Sequence, residues 1–204
     1  MGYVVNALYP FQRLIAYESA PKAHPIPNWQ LVRRSGALVG NANAPVLIAE
    51  FSDFECPACA YAHGRLRELQ AIFGDTLAIS FHYYPLEDIH PNAHTAAMAA
   101  ECANVQGRFD SMQDLLFAEQ DSLGVRPWDI LAREAGVADI AEFRRCLTSE
   151  AAGRRIRIDQ ELGKKLGVRA TPTLIVQGMM LPPGVLGGDS LPDLIRRSST
   201  LKNR

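Results

Sequence analysis

Apolar residues run almost unbroken through positions 46–51 (VLIAEF), between the turn residues Asn43-Ala44-Pro45 and Ser52-Asp53. A short run bounded in this way predicts a strand buried on both faces, with Glu50 as its anomaly. Over 57–73 the positions Cys59, Ala62, Leu66, Leu69 and Phe73 recur at spacings of three and four, and Gly74 follows. That is an amphipathic helix ending at a glycine cap. Residues 77–84 then set Leu77, Ile79, Phe81 and Tyr83 at alternate positions, the pattern of one face of a strand. Helical periodicity follows over 91–105, 109–117, a segment opening at Pro127, 140–147 and a last stretch to Leu166, punctuated by Gly107, Gly136 and Gly167. Strand character returns at 173–176, turns at Gln177-Gly178 and continues weakly to Leu181, before Ser190-Leu191-Pro192-Asp193 opens a final helix. A block of helices, 91–166, thus interrupts an α/β pattern.

Ahead of this lies a segment that Pro21, Pro25 and Pro27 mark as an extended lead-in, so the folded unit is expected to start near Trp29. Residues 1–11 are apolar, with no Lys or Arg before them, and are broken by Asn6 and Pro10. This is not the pattern of a complete signal peptide. Residues 2–9 read either as the tail of an anchor or signal whose start is missing, or as a short arm. Uninterrupted apolar runs stay below the roughly 18 residues that a membrane span needs.

The 204 residues, 48% hydrophobic, suffice for one sizeable core. Charged residues make up 21% and the formal net charge is -1, so the chain lacks the basic excess that a nucleic acid partner would need. Four cysteines are too few for a disulfide-dense scaffold, yet Cys56 and Cys59 stand three positions apart.

A Cys-x-x-Cys at the start of a helix places its first sulfur beside unpaired backbone N–H groups and the positive end of the helix dipole. Such thiols ionise at roughly pH 3.5 to 7.5, against about 8.5 for a free cysteine. Cys56 is therefore the expected nucleophile, exposed at the helix tip, and Cys59, one turn on, the more buried resolving thiol. Pro57 suits the first helical turn and Ala58 completes the motif. Asp53 and Glu55 oppose ionisation of Cys56, and the expectation is that both point into water and are screened. A zinc half-site is the bland alternative, with His63 on the same side as Cys59, but the sequence has no second cysteine pair. Two inert buried thiols are another. A phosphate-cradling glycine loop is not found, so neither a metal nor a cofactor is expected.

EFSDFECPACA at 50–60, HPNAHTAAMAAECANVQGRF at 90–109 and GVRATPTLIVQG at 167–178 together resemble the DsbA-like branch of the thioredoxin superfamily, over about 29–197. The resemblance implies an α/β thioredoxin fold with an inserted helical subdomain: residues 29–90 and 167–204 form the thioredoxin part, 91–166 the insertion and 1–28 an arm or anchor remnant. It implies that Pro172 is the cis loop proline facing the sulfurs, and that the Thr171 backbone holds an extended substrate segment. It makes Glu50 the buried acid beneath Cys59, where desolvation suits it to accept that thiol's proton. Read from the residues alone, Glu50 could equally reach solvent or pair with a cation.

Cys102 and Cys146 sit on apolar sides of helices in the insertion. The resemblance favours a structural disulfide between them, against two small buried hydrophobes. His82, His90 and His94 read as packing or capping residues, and Arg154, Arg155, Arg157, Lys164, Lys165 and Arg169 as the solvated side of a helix. The activity implied is donation of a disulfide to thiol-containing clients in the periplasm or another extracytoplasmic space. Reoxidation would fall to a membrane enzyme of the DsbB or VKOR type. A reductase or isomerase using the same cysteines, and a non-catalytic thioredoxin-like binding or chaperone module, are the alternatives.

Overall fold

The computed structural model describes residues 22–27, 29–33, 35–182 and 190–201; the segment read as an arm or anchor remnant lies mostly outside them. At the centre are β3 (Val46–Ser52) and β4 (Leu77–Tyr83), parallel and in register from Val46 against Leu77 to Ser52 against Tyr83. Parallel neighbours need a crossover, and α2 (Pro57–Phe73) supplies it. β5 (Thr173–Val176) runs antiparallel to β3, with Glu50 opposite Leu174, and β6 (Met179–Met180) follows it.

Three short elements complete this part: β1 (His24–Pro25) on β6, α1 (Gln30–Arg33), and β2 (Ala37–Val39) antiparallel to β4. The described strands therefore lie in the order β1-β6-β5-β3-β4-β2. The proline-marked lead-in does extend, but it becomes an edge strand, a place where proline's missing N–H costs no ladder bond. β2 and α1, with three and four residues, are too short to carry a period and the pattern analysis passes over them.

Every residue of β3 and of β4 is buried. The alternation at Leu77, Ile79, Phe81 and Tyr83 thus separates two covered faces of the sheet, not a covered face from a wet one. On one face Val46, Ile48, Phe81 and Tyr83 pack with Cys59, Leu66 and Leu69 of α2 and with the insertion. On the other, Ala49 and Phe51 pack with Val32, Tyr84, Val168 and Ile175. Period two puts Glu50 on the first face, with Val46 and Ile48, beneath α2.

The insertion consists of α3 (Ala93–Val105), α4 (Phe109–Ala118), a 3₁₀ turn (Gln120–Ser122), α5 (Trp128–Glu134), α6 (Ile140–Cys146) and α7 (Glu150–Leu166). Alanines at 96, 97, 99, 100 and 103 let α3 pack closely against its neighbours, and all of them are buried. Cys102 of α3 and Cys146 of α6 are joined in a disulfide. Ser149 caps α7 by accepting from the Ala152 N–H, and Gly167 ends it in the left-handed region. α8 (Ser190–Leu201) closes the described chain. No described helix is long and apolar enough to cross a membrane.

α7 returns to the sheet through buried polar contacts. Asp159 is fully buried and accepts from His82 Nδ1 (2.9 Å), the Tyr83 N–H (3.0 Å) and Arg155 (2.9 Å), so its charge is answered on every side. Arg155 also donates to the Ser35 carbonyl. It is therefore not part of a solvated basic stripe: burying Asp159 requires a cation beside it. Gly163 allows the closest approach, since a Cβ there would stand 2.5 Å from the Tyr84 ring.

Candidate active site

β3 runs into a loop that ends at Cys56, the N-terminal cap of α2, with Pro57 entering the first helical turn. The Cys56 carbonyl accepts from the N–H groups of Cys59 (2.9 Å) and Ala60 (3.2 Å), which turns the chain into the helix. Across from it the Thr171–Pro172 peptide bond is cis, and the Cys56 thiol donates to the Thr171 carbonyl at 3.6 Å. The structure thus brings Cys56, Cys59, Thr171 and Pro172 to one place, where the chain entering α2 meets the loop entering β5.

Cys56 is less open than its sequence position implies. Only 7% of it is exposed, and Cys59 is fully covered. The Thr171 carbonyl lies against the Cys56 sulfur, and the insertion reaches the same loop: Gln120 Nε2 donates to the carbonyls of Phe54 (2.6 Å) and Cys56 (3.0 Å).

The two thiols are driven apart in acidity. Cys56 is lowered to about 5, first because the Cys59 thiol donates to it and then through the Thr171 side chain and the N–H groups of Cys59 and Ala58, against the opposing effect of burial. Cys59 is pushed far up, mainly by burial and then by that same donation. One sulfur carries the negative charge and the other keeps its proton. The direction at Cys56 follows from the helix start, but the largest single contribution is the neighbouring thiol.

The acids flanking the motif do not simply point into water. Asp53 is 1% exposed, and its carboxylate accepts from the Glu55 N–H, the Leu86 N–H and His90 Nδ1, each at 2.8 Å. Glu55 accepts from the N–H (2.5 Å) and side-chain amide (2.9 Å) of Asn92. Donors from the segment entering the insertion thus spread these charges before they act on Cys56. Gly124 makes room for that segment, because a Cβ there would collide with the Asn92 amide. His90 does serve as a packing partner, but at this site.

Glu50 lies buried on the α2 side of the sheet with neither carboxylate oxygen hydrogen-bonded. Burial raises it to about 7, opposed in part by the nearby Ser52 hydroxyl. The described residues contain no His, Cys, Asp and Glu grouping arranged for a metal ion; His63 bonds Asp114 at 2.7 Å instead.

Pattern reading finds the cysteines but misses Gln120, Asn92 and the role of Asp53. Gln120 meets Cys56 across 64 positions, and neither periodicity nor local spacing marks it.

Residues 33–183 match the thioredoxin family. Among curated relatives, the Na(+)/H(+) antiporter NhaA 1 of Mycolicibacterium vanbaalenii is 39% identical over 144 residues, 69% of this chain and 23% of that protein. NhaA 3 of Salinispora tropica is 40% identical over 68% of this chain and 21% of its own length. The chain therefore spans less than a quarter of these antiporters. Among solved structures, Bacillus subtilis BdbD superimposes with a TM-score of 0.72 at 20% identity, covering 88% of this chain and all of that one. Pseudomonas aeruginosa DsbA2 gives 0.64 at 25% identity, with 79% and 92% covered. Two free cysteines at a helix start, a cis proline opposite them and a helical insertion thus sit on a fold shared with the DsbA proteins, and the chain belongs to the thioredoxin family.

Proposed function

We propose that the protein is a DsbA-like thiol:disulfide oxidoreductase that donates the Cys56–Cys59 disulfide to extracytoplasmic client proteins. One observation carries this: Cys56 is held near pH 5 beside a proton-bearing Cys59, an arrangement that makes the Cys56 sulfur a good leaving group and favours the reduced form. A protein that gains by becoming reduced is an oxidant of others.

In the proposed reaction a client thiolate attacks the Cys56 sulfur, and Cys59 departs as a thiolate. The client's second thiol then resolves the mixed disulfide. The Thr171 backbone holds the client strand as an added edge, and Glu50 supplies the proton that Cys59 needs. Reoxidation requires a partner, for which a membrane enzyme of the DsbB or VKOR type fits the chemistry. An extracytoplasmic location follows from the same reasoning, because glutathione would strip such a disulfide in the cytosol.

Equilibration with glutathione redox buffers tests the direction: the pair should be far easier to reduce than a structural disulfide. A Cys59→Ala variant should accumulate mixed disulfides with extracytoplasmic proteins. A strongly reducing potential, or no covalent adducts, would remove the oxidase reading.

A further inference from the structure

Glu50 borders a cavity of about 10 Å³, room for a single water, whose other walls include His63, Leu66, Arg67, Gln70 and Gln113. It is the carboxylate with both oxygens buried and unpartnered that faces this space, and the remaining polar walls offer a water the two to four partners it needs. We propose that this cavity is a proton port, in which one water passes protons between Glu50 and His63, and His63 exchanges them with solvent. The inference rests on the reading of Glu50 as proton donor to Cys59.

His63 stands one helical turn beyond Cys59 on α2, so a single helix face carries the thiol and the port. Its side chain is 12% exposed, giving it contact with both the interior and the surface. The ring is fixed by stacking on Phe117 at 4.7 Å and by the 2.7 Å bond from Nε2 to Asp114. Because the Asp114 carboxylate only accepts, Nε2 carries the proton in the neutral ring and Nδ1 is left as the acceptor. The charged groups facing His63 are Arg67 on its own helix, Asp110 and Asp114 on α4, and Glu50 across the cavity. Burial first, and then Arg67, hold His63 below its ordinary value despite the two aspartates. Its proton affinity therefore falls as that of Glu50 rises, which suits transfer between them.

The step balances as follows. The client sulfur is oxidised as it bonds to Cys56, the Cys56–Cys59 bond breaks, and Cys59 leaves with the electron pair. Cys59 takes the Glu50 proton, and the carboxylate is reprotonated from solvent through His63 and the cavity. His63 touches no reacting sulfur and acts through Glu50.

The test is the rate at which dithiothreitol reduces the oxidised protein, followed from pH 5 to 9 for the wild type, His63→Gln and Glu50→Gln, with and without added imidazole. Gln113→Leu, which removes a polar wall of the cavity on α4, serves as a second variant that leaves His63 in place. The port predicts a loss of about 3- to 10-fold in His63→Gln near and above neutral pH. Imidazole should restore that loss, but not the loss in Glu50→Gln. A wild-type profile in both His63→Gln and Gln113→Leu, with Glu50→Gln slow, overturns the port while leaving Glu50 its role. A loss that imidazole does not restore also overturns it, as a structural effect. Wild-type kinetics in Glu50→Gln would sink the Glu50 reading itself.

Discussion

Gln120 donates its side-chain amide to the carbonyl of Cys56 at 3.0 Å, so the insertion holds the loop that carries this thiol. The same amide group binds the Phe54 carbonyl. One side chain, 66 and 64 positions away, thus supplies the donor to the Phe54 carbonyl and a third donor to that of Cys56.

Gln120→Leu keeps most of the volume but orphans the Phe54 carbonyl and takes one of three donors from the Cys56 carbonyl. An unsatisfied buried acceptor costs about 1–3 kcal/mol, and the loop that positions Cys56 should loosen with it. Denaturant unfolding should show that loss, and the Cys56 thiolate, followed by absorbance at 240 nm, should titrate at higher pH than in the wild type. An unchanged titration would mean that Gln120 has no part in setting the acidity of Cys56.

This dependence explains which parts of the protein could be read from its sequence. The central strands could, because the apolar run broken only by Glu50 and the alternation of Leu77, Ile79, Phe81 and Tyr83 leave few other placements for 46–51 and 77–83. Cys56 and Cys59 could, because the spacing of the two sulfurs sets their chemistry. The surroundings could not. Asp53 reads as an acid pushing against its neighbour's ionisation, yet Leu86 and His90, 33 and 37 positions on, turn it into a buried acceptor. β2 and α1 are similarly defined by partners in β4 and β3, not by their own pattern.

The reduced protein should show one thiolate step near pH 5 and none from Cys59 across the neutral range. Since Cys59 supplies the largest lowering contribution, Cys59→Ala should move that step up by roughly one unit. Stability follows with a fixed sign. Cys56 is lowered from 9.0 to about 5 on folding, so its contribution is complete above pH 9 and disappears as the pH falls through 5. Melting temperatures of the reduced and disulfide forms should therefore diverge in favour of the reduced form as pH rises between those limits. A constant difference would contradict the lowered value.

Glu50 carries the opposite sign. Its folded value of about 7 lies above the ordinary 4.5, so folding is favoured while the group is protonated, and that advantage is lost as pH rises from 4.5 to 7. Glu50→Gln cannot ionise and escapes this loss. Relative to the wild type, the variant should gain about 3 kcal/mol between pH 4.5 and 7, whatever its offset at low pH. Chemical denaturation at a series of pH values measures the gain. Parallel curves for the two proteins would show that Glu50 ionises without cost and is not desolvated.

The Cys102–Cys146 bridge closes a loop spanning 44 positions. Chain entropy assigns about 4 kcal/mol to such a closure, comparable to a large share of a domain's net stability. The double variant Cys102→Ala, Cys146→Ala should lose about that much in denaturant unfolding. The surroundings of Cys56 should not follow. Asn92, which precedes α3, reaches Glu55, whereas Cys102 lies near the other end of the same helix, roughly 14 Å along its axis. Alanines pack most of the intervening turns, and they retain their neighbours when the bridge is gone. The Cys56 step should therefore stay near pH 5 in the double variant. A shifted step would mean that strain at the far end of α3 is transmitted along the helix to the motif loop.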